Sequence, residues 1–308
     1  MPEGPEVQIT IEFLNKYLSE NLIEKIDINS GRYIKQDPKG WDKLVLPLKV
    51  LNVNSKGKFI YFECIDINKN PVYIFNTLGL TGMWSTQIID KNNTHLTFTI
   101  LIKNNKKIIQ KNIKKENLSS PPIGSDLYLP ILNFKKINII DKNKFELYFA
   151  DVRRFGTFSF IFSKEELDKK LSKIGPDLLK ENIKKDEWEK IKNRAKNKKL
   201  VEFLMEQKFI SGIGNYLSAE LMYRVKLSPY TLIKNIDENV WNNLLNEIKK
   251  VMCDSYFSQG GTIKFCDFVP TKFKFNVYMK DECEKGHKIK KDKIIKGRTT
   301  YWCPIEQK

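Results

Sequence analysis

Apolar residues at Val7, Ile11, Leu14 and Leu18 recur at spacings of four, three and four, which predicts a helix over 5–18 with one apolar face. Pro5 suits its first position, where the missing N–H has no partner to lose. From about 23 to 160 the period shortens. Runs such as KVLNVNSKGKFIYFE, PVYIFNT, THLTFTILI and KFELYFADVRRFGTFSFIF alternate or are β-branched, and Gly, Asn and Pro break them, so they predict strands of a sandwich or barrel-like domain. Inside it, 103–136 is rich in lysine and asparagine with a Ser-Ser-Pro-Pro break and reads as a solvated surface insertion. Helical spacing returns after Ser163, which has Glu166 three residues on, the signature of a capping box for a short helix ending before Gly175 and Pro176. One helix is predicted over 186–207, a glycine turn at ISGIGN, a helix over 216–227 and another over 237–257. The tail reads as strands and tight turns around Cys and His. The pattern therefore predicts an α+β multidomain chain divided at 1–160, 161–260 and 261–308, without an internal repeat.

Charge changes this picture. Lys+Arg 54 against Asp+Glu 37 gives a net charge of +17, the footprint of a polyanionic partner, with nucleic acid ahead of a membrane surface. Heavy use of Lys, Asn and Ile also fits AT-rich coding, which accounts for part of the excess without any partner. No basic and apolar leader opens the chain and no run of about 18 apolar residues occurs, so a soluble, intracellular protein is expected. Cys64, Cys253, Cys266, Cys283 and Cys303 make an odd set in a large chain, which suits reduced thiols or a metal better than a disulfide framework.

Four stretches carry candidate chemistry. In SGIGNYLSAEL (211–221), two glycines before a helix expose backbone N–H groups suited to a phosphate, with Asn215 as a further donor; an ordinary helical corner is the alternative. In the tail, Cys283, His287 and Cys303 have finger-like spacing, and Glu306 stands where a fourth cysteine is expected; zinc accepts carboxylate at about 2.0–2.2 Å. Packing of Tyr301, Trp302 and Val277 without metal is the alternative. In DVRRFG, two arginines and Phe155 make a basic, aromatic loop tip suited to entering a base stack, unless Phe155 belongs to the core; NTLGLTG offers a second such loop with Leu80 between glycines. At the start, removal of Met1 would leave Pro2 as a secondary amine with a pKa near about 8, able to form a cationic iminium. Glu3 beside it can move protons, although PEGPE is also a good helix start.

PEGPEV, SKGKF, NTLGLTG, DVRRFG, GPD, ISGIGNYLSAE, GGTIKFCDF and VYMKDECEKGH with GRTTYWCP resemble, in order and across nearly the whole chain, the formamidopyrimidine-DNA glycosylase and endonuclease VIII family. GPEV, DVRRFG and the Cys-x3-His finger start look closest to the endonuclease VIII-like branch, the finger to its endonuclease VIII-like 2 members. The resemblance implies an N-terminal β-sandwich with an N-terminal helix, a helix–two-turns–helix domain and a C-terminal β-hairpin finger with structural zinc or without it. It also implies a monomer that binds damaged DNA, double- or single-stranded, in the cleft between domains. The function implied is bifunctional: removal of oxidised pyrimidines, with lyase activity by β,δ-elimination. Formamidopyrimidine and 8-oxoguanine are the alternative substrates, and a DNA-binding protein without chemistry is the alternative from another class.

By the same resemblance, Pro2 attacks C1′, Glu3 is the acid and base, and Lys58 is a catalytic or phosphate-binding lysine. Asn215 and Arg298 match phosphate contacts, and Leu80, Arg153 and Phe155 match the residues that fill the hole left by a flipped nucleotide. Glu6 reads as a local hydrogen-bonding residue. The chain departs from the family in lacking the fourth finger cysteine, in a long 103–136 segment, and in a short 267–277 segment that favours pyrimidines over 8-oxoguanine. Nuclear and cytoplasmic locations both fit, depending on the host.

Overall fold

The computed structural model describes residues 2–88, 91–102, 139–141, 143–258 and 273–308. The predicted 103–136 insertion, Cys266 and residues 267–272 lie outside the described residues.

Among the described residues, helix α1 (Gly4–Leu18) is followed by nine strands: β1 (Leu22–Ile28), β2 (Leu48–Lys56), β3 (Phe59–Ile65), β4 (Pro71–Thr77), β5 (Met83–Ser85), β6 (Thr94–Leu101), β7 (Ile139–Asp141), β8 (Lys144–Ala150) and β9 (Thr157–Ile161). They pair in the order β5-β8-β6-β1-β2-β3-β4-β9, with β7 alongside β8. Between β1 and β2 the pairing is restricted to Leu22 with Lys49 and Ile23 with Leu48, so the two halves of the sheet are free to fold over one another. Phe158 of β9 reaches Phe149 of β8 at 4.8 Å and Trp84 of β5 at 5.8 Å, although these strands stand at opposite ends of the order. The sheet is thus a sandwich with an aromatic interior. Period-2 alternation fills it: Ile60, Phe62 and Cys64 of β3 are all buried. Each large apolar side chain buried this way stabilises by roughly 1.5–3 kcal/mol.

The second core is helical, built by α2 (Lys164–Leu171), α3 (Lys185–Ala195), α4 (Leu200–Met205), α5 (Asn215–Arg224) and α6 (Glu238–Phe257). Ser163 caps α2 as expected, accepting the Glu166 N–H at 3.3 Å. The single helix predicted over 186–207 is two. Residues 196–199 leave the helix because their backbone pairs elsewhere: Ile233 N–H donates to Lys198 O and Lys234 N–H to Lys196 O, both at 3.0 Å. Trp188 stacks on Trp241 at 4.2 Å and donates its indole N–H to the Trp241 carbonyl. Helix α1 serves both cores, since Leu14 and Leu18 pack into the sandwich while Ile9 packs among the helices.

A short hairpin of β10 (Lys290–Asp292) and β11 (Thr300–Trp302) completes the fold. Val277, Cys283, Ile289 and Cys303 pack on Ala219 and Tyr223 of α5. Glu220, fully buried in α5, accepts the N–H groups of Val277 and Tyr278 on one oxygen and both Asn276 donors on the other, at 2.7–2.9 Å. The finger is therefore held to one face of α5, whose other features organise the site.

Candidate active site and DNA interface

Glu3 precedes α1, and its backbone N–H donates to Glu6 Oε2 at 3.0 Å, so the first turn fixes its direction. Its carboxylate, 1% exposed, points at the N-terminus of α5. There the Gly214 N–H donates to Oε2 at 2.6 Å, the Tyr216 N–H to Oε1 at 3.0 Å and the Leu217 N–H to Oε2 at 3.4 Å. This corrects the phosphate reading of the glycine turn: the exposed donors of α5 hold Glu3 of the chain itself. The physics of an anion at a helix N-terminus is unchanged, but the anion is internal.

Burial pushes the Glu3 carboxyl up to about 7, with the Lys58 ammonium opposing, Glu6 adding, and the Tyr216 and Gly214 N–H groups opposing. Lys58, in the turn between β2 and β3, has its ammonium pushed down by burial, against Glu3 and with Arg298. Both groups are thereby poised closer to neutrality than free side chains. Gly214 makes room for them, since a Cβ there would lie 2.4 Å from the Glu3 carboxyl carbon and 2.5 Å from Lys58 Nζ. Pro2 is buried beside them and lines a cavity of about 310 Å³ with Lys56, Lys58, Thr77 and Gln207. Glu6, fully buried and raised first by that burial, takes the Tyr216 hydroxyl at 3.0 Å, which also meets Ser255 Oγ at 2.7 Å. Glu6 thus joins the helix start, through the Glu3 N–H, to a distant part of the chain at Tyr216.

Asn215, the first residue of α5, donates its side-chain amide to the Thr299 carbonyl at 3.0 Å. That bond ties the hairpin loop carrying Arg298 to the helix, and Arg298 lies close enough to Lys58 to act on it electrostatically. Pro2, Glu3, Lys58, Asn215 and Arg298 are therefore brought together from three parts of the chain. Leu80, Arg153 and Phe155 form a separate group at the tips of two adjoining loops. Phe155 is 54% exposed, so it is not a core residue, and Arg153 is exposed beside it, with Leu80 half-buried.

Cys283, His287 and Cys303 converge, their ligand atoms all within 4.8 Å of one another. His287 Nδ1 is buried and has no hydrogen-bond partner among the described residues. Burial raises the Cys283 thiol, but the N–H groups of Lys285 and His287, with Cys303 and Tyr223, outweigh it and hold the thiol below its ordinary value. An unpartnered imidazole nitrogen beside two buried sulfurs, one with its thiol held below its ordinary value, fits zinc. Glu306 stands at the edge of this group. Its carboxylate is taken by Lys285 Nζ at 2.7 Å and stands 3.4 Å from His287 Nδ1.

Comparison with known proteins accords with this geometry. Residues 1–158 match the Formamidopyrimidine-DNA glycosylase N-terminal domain, 174–267 its H2TH domain and 266–308 its C-terminal domain. The chain belongs to the formamidopyrimidine-DNA glycosylase family. It is a DNA glycosylase of base excision repair. Full-length relatives include the formamidopyrimidine-DNA glycosylases of Prochlorococcus marinus, 28% identical with both chains fully covered, and Ureaplasma parvum, 27% identical over 99% of this chain and 98% of that one. Among solved structures, a Lactococcus lactis FPG mutant in complex with Fapy-dG DNA superposes with a TM-score of 0.73 at 21% identity, both chains fully covered. The wild-type Lactococcus lactis FPG with DNA containing an oxidised pyrimidine gives 0.72 at 21%, again over both whole chains. These structures share the fold. Among the described residues no helix is long and apolar enough to cross a membrane.

Sequence reasoning missed the parts played by Tyr216 and Glu220, and gave Gly214 a phosphate to hold rather than Glu3. Glu220 had a signal, a carboxylate inside the apolar run SAELMY, which can be buried only with donors around it.

Proposed function

We propose that the chain, once Met1 is removed, is a bifunctional DNA glycosylase and AP lyase with Pro2 as nucleophile. The observation that carries this reading is Glu3, buried beside Pro2 with its carboxyl near 7, next to a Lys58 whose proton is loosened. A carboxyl of that kind gives a proton at neutral pH and takes one back. The Pro2 nitrogen attacks C1′; the C–N bond to the base breaks, and the base leaves with the electron pair. Glu3 protonates the ring oxygen, and the sugar opens to an iminium. The iminium acidifies C2′, so loss of that proton expels the 3′ phosphate, and a second elimination expels the 5′ phosphate. Hydrolysis of the iminium then returns the free amine.

Asn215 and Arg298 are suited to the phosphates flanking the flipped nucleotide, and Leu80, Arg153 and Phe155 to the hole it leaves. Zinc on Cys283, His287 and Cys303 would supply structural closure of the finger that presents Arg298. The family name supports formamidopyrimidine lesions as substrates. Oxidised pyrimidines are a second reading, supported by the Lactococcus lactis relative with such DNA. DNA, in duplex or single strand, is the partner, and the chain acts as a monomer.

Borohydride trapping on DNA with an abasic site tests the mechanism. Met1-processed protein should give a covalent product whose adduct maps by peptide mass to the Pro2 nitrogen; an adduct carried on a lysine instead would remove Pro2 from the chemistry. Excision from formamidopyrimidine, thymine glycol and 8-oxoguanine duplexes separates the substrate readings. Stoichiometric metal analysis tests the finger, and active protein free of zinc would overturn the metal assignment.

A further inference from the structure

Asp151 is fully buried, yet it stands at the base of the loop whose Val152 and Phe155 are 65% and 54% exposed. A buried carboxylate needs donors, and this one has them from two separate loops. From its own loop, Arg153 N–H donates to Oδ1 at 3.2 Å and Gly156 N–H to Oδ2 at 2.6 Å. From the other, the Thr81 hydroxyl donates to Oδ1, and Thr81 Oγ1 in turn accepts the Arg153 N–H at 3.0 Å. The Asp151 carbonyl accepts the Arg154 N–H at 3.1 Å, closing a turn in which Arg154 has φ +58°, and the His95 Nε2–H at 2.6 Å. Backbone fit reinforces these bonds. A Cβ on Gly79, at φ +65°, would lie 2.7 Å from the Gly156 nitrogen and from the Phe155 carbonyl carbon.

We propose that Asp151 is a positioning residue that binds the Leu80 loop and the Arg153–Phe155 loop into one rigid wedge, so that the three side chains enter the base stack together. This rests on the proposed hole-filling role of those side chains. Two independent loops would each be ordered at the moment of entry, whereas one locked unit is ordered beforehand, which favours flipping in duplex DNA. A single strand has no stack to enter, and there the wedge adds nothing.

The test is single-turnover cleavage at an abasic site, in duplex and in single-stranded DNA, by the Met1-processed full chain. D151N and T81V should slow duplex cleavage by about ten- to a hundredfold, the scale of a lost bond to a buried charge. Single-strand cleavage should stay within about twofold of wild type. T81S keeps the hydroxyl and should restore the duplex rate, and it carries the test if D151N does not fold. Fluorescence of 2-aminopurine opposite the site should report the same loss of side-chain entry in T81V but not T81S. Equal slowing on both substrates, or T81S as slow as T81V, would overturn the wedge. Wild-type protein that cleaves neither substrate overturns the lyase reading beneath it, whereas active wild type with unaffected variants overturns the wedge alone.

Discussion

Burial favours the neutral form of Glu3, the Lys58 ammonium and the helix N–H groups favour its anion, and burial prevails. The consequence for stability follows from linkage. Because the folded pKa lies near 7 and the free value near 4.5, the folded state binds more protons between them. Stability from this group is therefore greatest below about 4.5 and declines as pH rises to about 7, by an upper bound on the order of 3 kcal/mol. Urea unfolding at pH 5 and pH 8 should show Glu3→Gln with a smaller loss across that interval than wild type. Glu6, raised in the same direction, keeps part of the slope. An equal slope in both proteins would mean that Glu3 ionises normally. Gly214→Ala probes the same site by volume. Its backbone, at φ −132°, admits alanine, but the methyl would displace Glu3 and Lys58. Activity should fall by about a hundredfold, since small displacements of reacting groups cost that much, with a loss of about 1–3 kcal/mol in urea unfolding from overpacking at the buried Glu3; full activity would show that the placement of Glu3 is not needed.

At the scale of elements, α5 joins three parts of the molecule, with Glu3 at its N-terminus and the finger on its flank. Glu220 makes the second junction. Its four accepted bonds use both oxygens, and Glu220→Gln would turn amide hydrogens toward two donors. A loss of about 2–4 kcal/mol in urea unfolding is expected, the scale for a buried polar group left unpaired. Retention of full stability would show that the finger does not depend on this carboxylate. Local signals made the elements legible: the period of α1, the Ser163 cap and the alternation in β3 were all readable from the sequence. What was illegible depended on partners far along the chain. The break at 196–199 comes from pairing with residues 233–234, and the α5 donors meet a carboxylate 211 residues upstream. The Lys285 ammonium that meets Glu306 at 2.7 Å is likewise invisible to ligand spacing.

For the whole molecule, the net charge of +17 makes a strong salt dependence of DNA binding the natural expectation, but it does not say which charges matter. The site distinguishes them. Arg298 is a cation on the hairpin loop, and Asn215 is a neutral donor that also bonds Thr299. If both contact phosphate, only Arg298 displaces a counterion. Replacing Arg298 with Gln should weaken binding and make the plot of log affinity against log salt shallower by about 1. Asn215→Ala should weaken binding at every salt concentration with the slope unchanged, because a neutral hydrogen bond releases no ion. Lys58 is a second cation near the site, its ammonium pushed down by burial while Glu3 opposes. An unchanged slope in Arg298→Gln would show that the hairpin loop does not meet phosphate.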